Sequence, residues 1–236
     1  MKKVFILLLS TSVLFSCSDD FTDIDPVGSL NDASLQNATG VDLLLTGTYS
    51  VLDGHSNRGG SDWSRAGDNW WMDVLADDAH KGSSDGDQAD LLAMELYTWD
   101  TNNPYFLGKW EALFAGVNRA NAVIDLINNS DNPADFTTEL AQARFLRGHF
   151  NFELSRMWVN VPYISDENYG ASEFNQPNNG PIYSQIEADF SFAASNLPSS
   201  RSEVGRPIKS AAQAYVGRTL LYQSKWAEAL SQLEAG

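Results

Sequence analysis

Beyond Pro104 the apolar residues of this 236-residue chain recur every three or four positions, the period of helices with one buried face. Phe106, Trp110, Leu113, Val117, Ala120, Ile124 and Ile127 make the first stripe, with Asn103 placed to cap it and Pro104 at the first helical position. Asn132-Pro133 opens a second stripe of Phe136, Leu140, Ala143, Leu146, Phe150, Leu154 and Met157, and Val161-Pro162 ends it. A third helix follows Gly180-Pro181, with Ile182, Ile186, Phe190, Ala193 and Leu197 inward. Arg206-Pro207 opens a fourth over 208–223, and a fifth runs from Trp226 to Ala235. Between the second and third lies a polar stretch, 163–180, long enough to be a functional loop or an insertion.

Ahead of Pro104 the texture is mixed. Residues 37–52 read as a helix through Val41, Leu44, Leu45, Thr48, Val51 and Leu52, stopped by Gly54. Gly, Ser and Asn between Gly54 and Trp71 predict an exposed loop. A short helix is expected over 72–76, then a second polar loop from His80 to Asp90. Residues 91–99 fit a short helix or an extended segment equally.

The last two helices fit the tetratricopeptide frame. Gly217 stands where a partner helix must come close, Ser224 at the turn, Trp226 at the aromatic position, Ala229 at the small contact and Leu233 at the next packing site. The expected fold is all-α, tetratricopeptide-like helical hairpins with long irregular loops. Trp110, Trp158 and Trp226 lie on helical stripes and are expected in the core. No capping helix follows the fifth, as expected of the N-terminal portion of a longer protein.

The first residues have a separate logic. Lys2-Lys3, the apolar run Val4–Leu9 and Leu14-Phe15-Ser16-Cys17 have the plan of a secretory signal with cysteine at the cut. That arrangement is a bacterial lipobox, so residues 1–16 are expected to be removed and Cys17 to carry acyl chains such as palmitate. Two or more chains anchor stably where one does not. Residues 17–34 read as a lipidated acidic tether with Asp19, Asp20, Asp23 and Asp25, and 35–236 as the helical body.

Charge narrows the partners. With 31 acidic against 15 basic residues the net charge is −16, which repels nucleic-acid phosphates and anionic lipid. Nucleic acid is excluded as a partner; the membrane is reached through the anchor. Cys17 is the single cysteine, so an intrachain disulfide cannot form.

Several segments together resemble one family. They are the lipobox with Ser18-Asp19-Asp20, the stretch Ala38–Leu52, Asp77-Asp78 and Tyr97-Thr98-Trp99. Further along come Trp110–Asn121, Ala141–Leu154 with Val161-Pro162, and Ala211–Arg218 with Tyr222–Trp226. In order and spacing these are similar to the SusD/RagB family of nutrient-binding outer-membrane lipoproteins, over its N-terminal half. The resemblance implies a helical scaffold that binds glycan or another nutrient at the cell exterior without cleaving it. It also implies a SusC-type TonB-dependent transporter as partner. The alternative is a tetratricopeptide scaffold that holds a peptide or protein.

Candidate chemistry follows from what a sugar presents. A pyranose has apolar C–H faces and a hydroxyl rim, so its site needs an exposed aromatic plane with short polar side chains at the edge. The 54–71 loop supplies both. Trp63 and Trp70 are the expected platforms, with Arg65, Asn69 and Asp78 on hydroxyls, while one of Trp70 and Trp71 packs inward. Arg144 and Arg147, mid-helix, read as structural ion pairs. Neither a metal nor a cofactor is expected: His55, His80 and His149 lack ligand spacing, and Asp85, Asp87 and Asp90 miss the calcium-loop pattern at Ala89 and Leu96. Nucleophile and phosphate-loop motifs are absent from the sequence, so an enzyme is not expected.

Overall fold

The computed structural model describes residues 32–54, 70–84, 86–169 and 175–234. Cys17, Trp63, Arg65 and Asn69 lie outside them, as does the side chain of Trp70. A single helical turn, α1 (Asp32–Leu35), belongs to the unit Met1–Leu35, and all other described elements belong to Gln36–Gly236.

Helix α2 (Ala38–Tyr49) begins where Asn37 Oδ1 accepts the N–H groups of Thr39 and Gly40, both at 3.1 Å. Those donors have no partner within the helix, and an Asn cap is among the best ways to satisfy them. A 3-10 turn (Ser50–Asp53) extends it to Gly54, which ends it with a left-handed φ of 84°. Val41, Leu45, Thr48 and Val51 are buried on one face, whereas Leu52 is 46 % exposed. The tightened 3-10 turn rotates that side chain off the stripe.

Two short helices, α3 (Trp70–Leu75) and α4 (Ala89–Glu95), form a layer with its own core. Trp71, Val74, Leu91 and Met94 enclose it with Tyr105, and Phe106 and Met157 pack against it. Trp71 packs inward, fully buried with its ring centroid 5.9 Å from that of Tyr105.

The long helices are α5 (Pro104–Asn128), α6 (Thr137–Trp158, after a 3-10 turn at Pro133–Phe136), α7 (Tyr183–Asn196), α8 (Lys209–Tyr222) and α9 (Trp226–Glu234). Asn103 caps α5 as expected, its Oδ1 accepting the Tyr105 N–H at 3.1 Å. From α5 to α9 each helix packs on the one before, and α2 lies against α5 and α6. Glycine sets the spacing. A Cβ on Gly116 would meet the Phe150 ring at 2.5 Å, one on Gly148 the Phe190 ring at 3.0 Å, and one on Gly217 the Leu233 side chain at 2.7 Å. At three interfaces, α5–α6, α6–α7 and α8–α9, a missing side chain thus accepts a large one from the next helix. Ser224 takes the turn between α8 and α9 with a left-handed φ of 60°.

The described residues are helical without strands. Two core expectations need correction. Trp226 is 63 % exposed, because no helix among the described residues covers the outer face of α9. Trp110 and Trp158 are half-buried; their rings meet edge to face at 5.1 Å, and Trp110 lines a surface groove.

Candidate functional site

Of the expected site residues, Asp78 is the one whose side chain lies among the described residues, and it belongs to the surface of the α3–α4 layer. Asp78 sits in the turn after α3, exposed, where its backbone N–H and that of Ala79 both donate to the Asp73 carbonyl at 3.0 Å. Asp77 makes the turn with φ 68°. Trp70 opens α3, eight positions before Asp78 in the chain.

Two aromatic residues that the sequence reading left out of the site join this surface. Tyr97 is 66 % exposed with φ 54°, and its hydroxyl donates to the Leu75 carbonyl at 2.6 Å. The bond ties the end of α4 to the end of α3, bringing the Tyr97 ring beside the turn that carries Asp78. Trp99 is 41 % exposed and stands edge-on to Phe106, centroids 5.1 Å apart at 84°. A ring braced on one edge keeps its face for contact. The signal was present as Tyr97-Thr98-Trp99, alternate aromatics on one side of a segment whose helical or extended state was ambiguous.

The loop between α3 and α4 is drawn onto α4. His80 Nδ1 contacts Glu95, and the Lys81 backbone N–H donates to Glu95 Oε2 at 3.1 Å. Lys81 Nζ donates to the carbonyls of Ser84 and Asp87, at 2.7 and 2.5 Å. The Tyr105 hydroxyl donates to Gln88 Oε1. Burial first, and the Asp90 and Asp87 carboxylates second, raise the Tyr105 pKa, so the hydroxyl keeps its proton. Among the described residues no group of three His, Cys, Asp or Glu side chains is placed to hold a metal.

Arg144 and Arg147 are structural, as read from the sequence. Arg147 donates to both oxygens of Asp189 at 2.8 Å, to Asn121 Oδ1 at 2.9 Å and to Asp166 Oδ1 at 2.7 Å. Asp189 also accepts from Arg144 Nε at 2.9 Å. Burial pushes the phenol of Tyr163, beside this cluster, up to about 12. Burial likewise lowers His149 to about 4, so it is neutral at pH 7, with Nδ1 3.2 Å from the Tyr215 hydroxyl.

The SusD-like family model described as "Starch-binding associating with outer membrane" matches residues 46–221. The chain belongs to the SusD-like family. It is 26 % identical to a SusD-like protein of Bacteroides ovatus, over 96 % of this chain and 40 % of that protein. It is 27 % identical to SusD-like protein P2 of Formosa agariphila, over 99 % of this chain and 45 % of that one. The chain thus spans less than half the length of these SusD-like relatives. Among solved structures, a laminarin binding SusD-like protein superposes with a TM-score of 0.69 at 24 % identity, over 84 % of this chain and 43 % of that one. The surface glycan-binding protein A of Bacteroides fluxus superposes with a TM-score of 0.67 at 23 % identity, over 85 % of this chain and 44 % of that one. At that identity the superpositions establish the shared helical fold.

Proposed function

We propose that this protein is a glycan-binding lipoprotein of the outer membrane, anchored through Cys17 and facing the cell exterior, that passes its ligand to a SusC-type TonB-dependent transporter. Membership of a family described as starch-binding and associating with the outer membrane carries the reading. In support, solved relatives of the same fold are named for laminarin and surface glycan binding. On this reading residues 1–16 are the signal, 17–34 the tether and 35–236 the binding body. The protein binds and does not cleave.

Chemistry places the ligand. Tyr97 and Trp99 offer two exposed aromatic faces, and exposed Asp78 follows by three residues the Leu75 carbonyl that holds the Tyr97 hydroxyl. A sugar's C–H face stacks on such rings while its hydroxyls donate to the carboxylate. Trp63, Arg65, Asn69 and Trp70 precede this surface in the chain and complete the proposed site.

Among the described residues no helix is long and apolar enough to cross a membrane. The anchor is therefore tested by itself. Labelled palmitate fed to expressing cells should enter the wild-type chain and not Cys17→Ala, and protease added to intact cells should digest the wild type. A wild-type chain that takes up no label, or that only lysed cells expose to protease, refutes the anchored, outward-facing reading.

A further inference from the structure

We propose that the groove lined by α5 on one side and by Pro162, Ile164, Tyr169, Asn175 and Gln176 on the other is a second oligosaccharide site, built of other residues than Tyr97, Trp99 and Asp78. The ligand class rests on the glycan reading above; the site rests on different residues.

The groove has a volume of about 780 Å3, inside the range of roughly 300–1,000 Å3 common for small-ligand sites. Its floor is aromatic. Trp110 and Phe114, one turn apart on α5, have ring centroids 4.7 Å apart, and Trp158 braces Trp110 edge-on from α6. Both floor rings are half-buried, so each turns part of its surface to the groove.

The opposite wall, Pro162, Ile164 and Tyr169, is held from behind. Asn121 Nδ2 donates to the Ile164 carbonyl at 2.9 Å, Arg147 holds Asp166 at 2.7 Å, and the Tyr169 hydroxyl donates to Asp125 Oδ2 at 3.3 Å. A ligand entering here meets a wall already ordered by a buried arginine, so it spends little of its binding free energy on ordering.

The polar complement selects the occupant. Asn118 and Asn175 are exposed amides on facing walls, and Glu111 adds a carboxylate one turn from Trp110's neighbour Phe114. Arg119, which also lines the groove, donates through Nη1 to the Gly47 carbonyl at 2.7 Å and Ser50 Oγ at 3.1 Å. A chain of net charge −16 disfavours an anionic ligand, and the Arg119 Nη1 hydrogens are already placed on neutral oxygens. An apolar helix would leave Glu111 and Asn118 covered without partners. A neutral polyhydroxylated ring fits both demands: its C–H face on Trp110 and Phe114, its hydroxyls donating to Glu111 and accepting from the amides.

The seven tryptophans make the test residue-specific. Protein labelled with 5-fluorotryptophan is titrated with maltoheptaose, laminarihexaose and a xyloglucan heptasaccharide while the 19F resonances are followed. Trp110→Phe and Trp99→Phe assign the two reporters. The expected result is a saturable shift at Trp110 with at least one sugar. Asn118→Tyr, which fills the groove from its exposed wall, should weaken that binding at least tenfold while the Trp99 response persists. Asn175→Tyr repeats the block from the facing wall should the first variant lose its native resonances. A response at Trp99 alone overturns the second site and leaves the glycan reading standing. Silence at every tryptophan with all three sugars overturns both. A Trp110 shift that survives both blocks, or one produced only by an added apolar peptide such as Ala-Leu-Phe-Ala, overturns the proposal as well.

Discussion

Arg147 on α6 and Asp189 on α7 meet through two parallel hydrogen bonds of 2.8 Å, with side chains 5 % and 1 % exposed. Two charges so far from water persist only when their hydrogen-bonding capacity is filled. Here it is: the same guanidinium reaches Asn121 on α5 and Asp166 in the loop beyond α6, and Arg144 adds a third bond to Asp189. One buried ion cluster therefore joins three helices and the wall of the α5 groove.

Removing one partner should cost more than the pair contributes. Arg147→Ala leaves Asp189 with Arg144 alone and is expected to lose about 3–5 kcal/mol of unfolding free energy, read from urea denaturation followed by circular dichroism. Arg147→Lys should recover little, because an ammonium cannot span Asp189, Asn121 and Asp166 as a planar fork does.

Helix spacing is tested at Gly116. Alanine there gains about 1 kcal/mol of helix propensity, but its Cβ would lie 2.5 Å from the buried ring of Phe150. Overpacking of that kind costs about 1–3 kcal/mol, so a net loss is expected in thermal denaturation. Phe150→Leu should turn the same glycine substitution from harmful to neutral or better, and the double-mutant cycle measures the coupling.

Much of this fold can be read from the sequence, because its signals are local. Asn103-Pro104 caps α5, and the stripe on α7 from Ile182 to Leu197 is buried throughout. Gly217 opposite Leu233 follows from a known repeat. Hidden from a single-helix pattern is burial on several sides. α6 is packed by α2, α5 and α7, so Gln142, Arg147, Asn151, Glu153 and Ser155 are interior although their types predict surface. Trp226 errs the other way: its stripe is apolar, and the described structure sets nothing against it. On the candidate surface, Tyr97 and Trp99 depend on a tertiary bond to Leu75 and on the Phe106 ring, neither of which has a sequence signature.

Those opposite environments give a direct comparison. Trp226→Ala is expected within about 0.5 kcal/mol of wild type, as for other exposed positions, whereas Trp71→Ala empties the core of the α3–α4 layer and should cost about 3–5 kcal/mol. Chemical denaturation of both variants decides it; an equal loss would return Trp226 to the core.

His149 should make stability fall on acidification. Burial holds its folded pKa near 4, against 6.5 in the unfolded chain. Glu153 opposes that shift, while Lys109, Arg218 and Arg156 reinforce it. Below 6.5 the unfolded state binds the proton first, so stability is full above that pH and drains between 6.5 and 4. The total is on the order of 3 kcal/mol. His149→Gln should remove this part of the pH dependence, seen as the difference between the two proteins' unfolding free energies at pH 7.5, 6, 5 and 4.

The most direct measurement is the affinity of the folded protein for neutral oligosaccharides. Isothermal titration with maltoheptaose, laminarihexaose and a xyloglucan heptasaccharide should give saturable binding to at least one. Trp99→Ala and Tyr97→Ala should each weaken the heat attributable to the Asp78 surface at least tenfold, the loss of one stacking face. Native circular dichroism with no heat from any of the three sugars, or binding untouched by either substitution, would contradict the account.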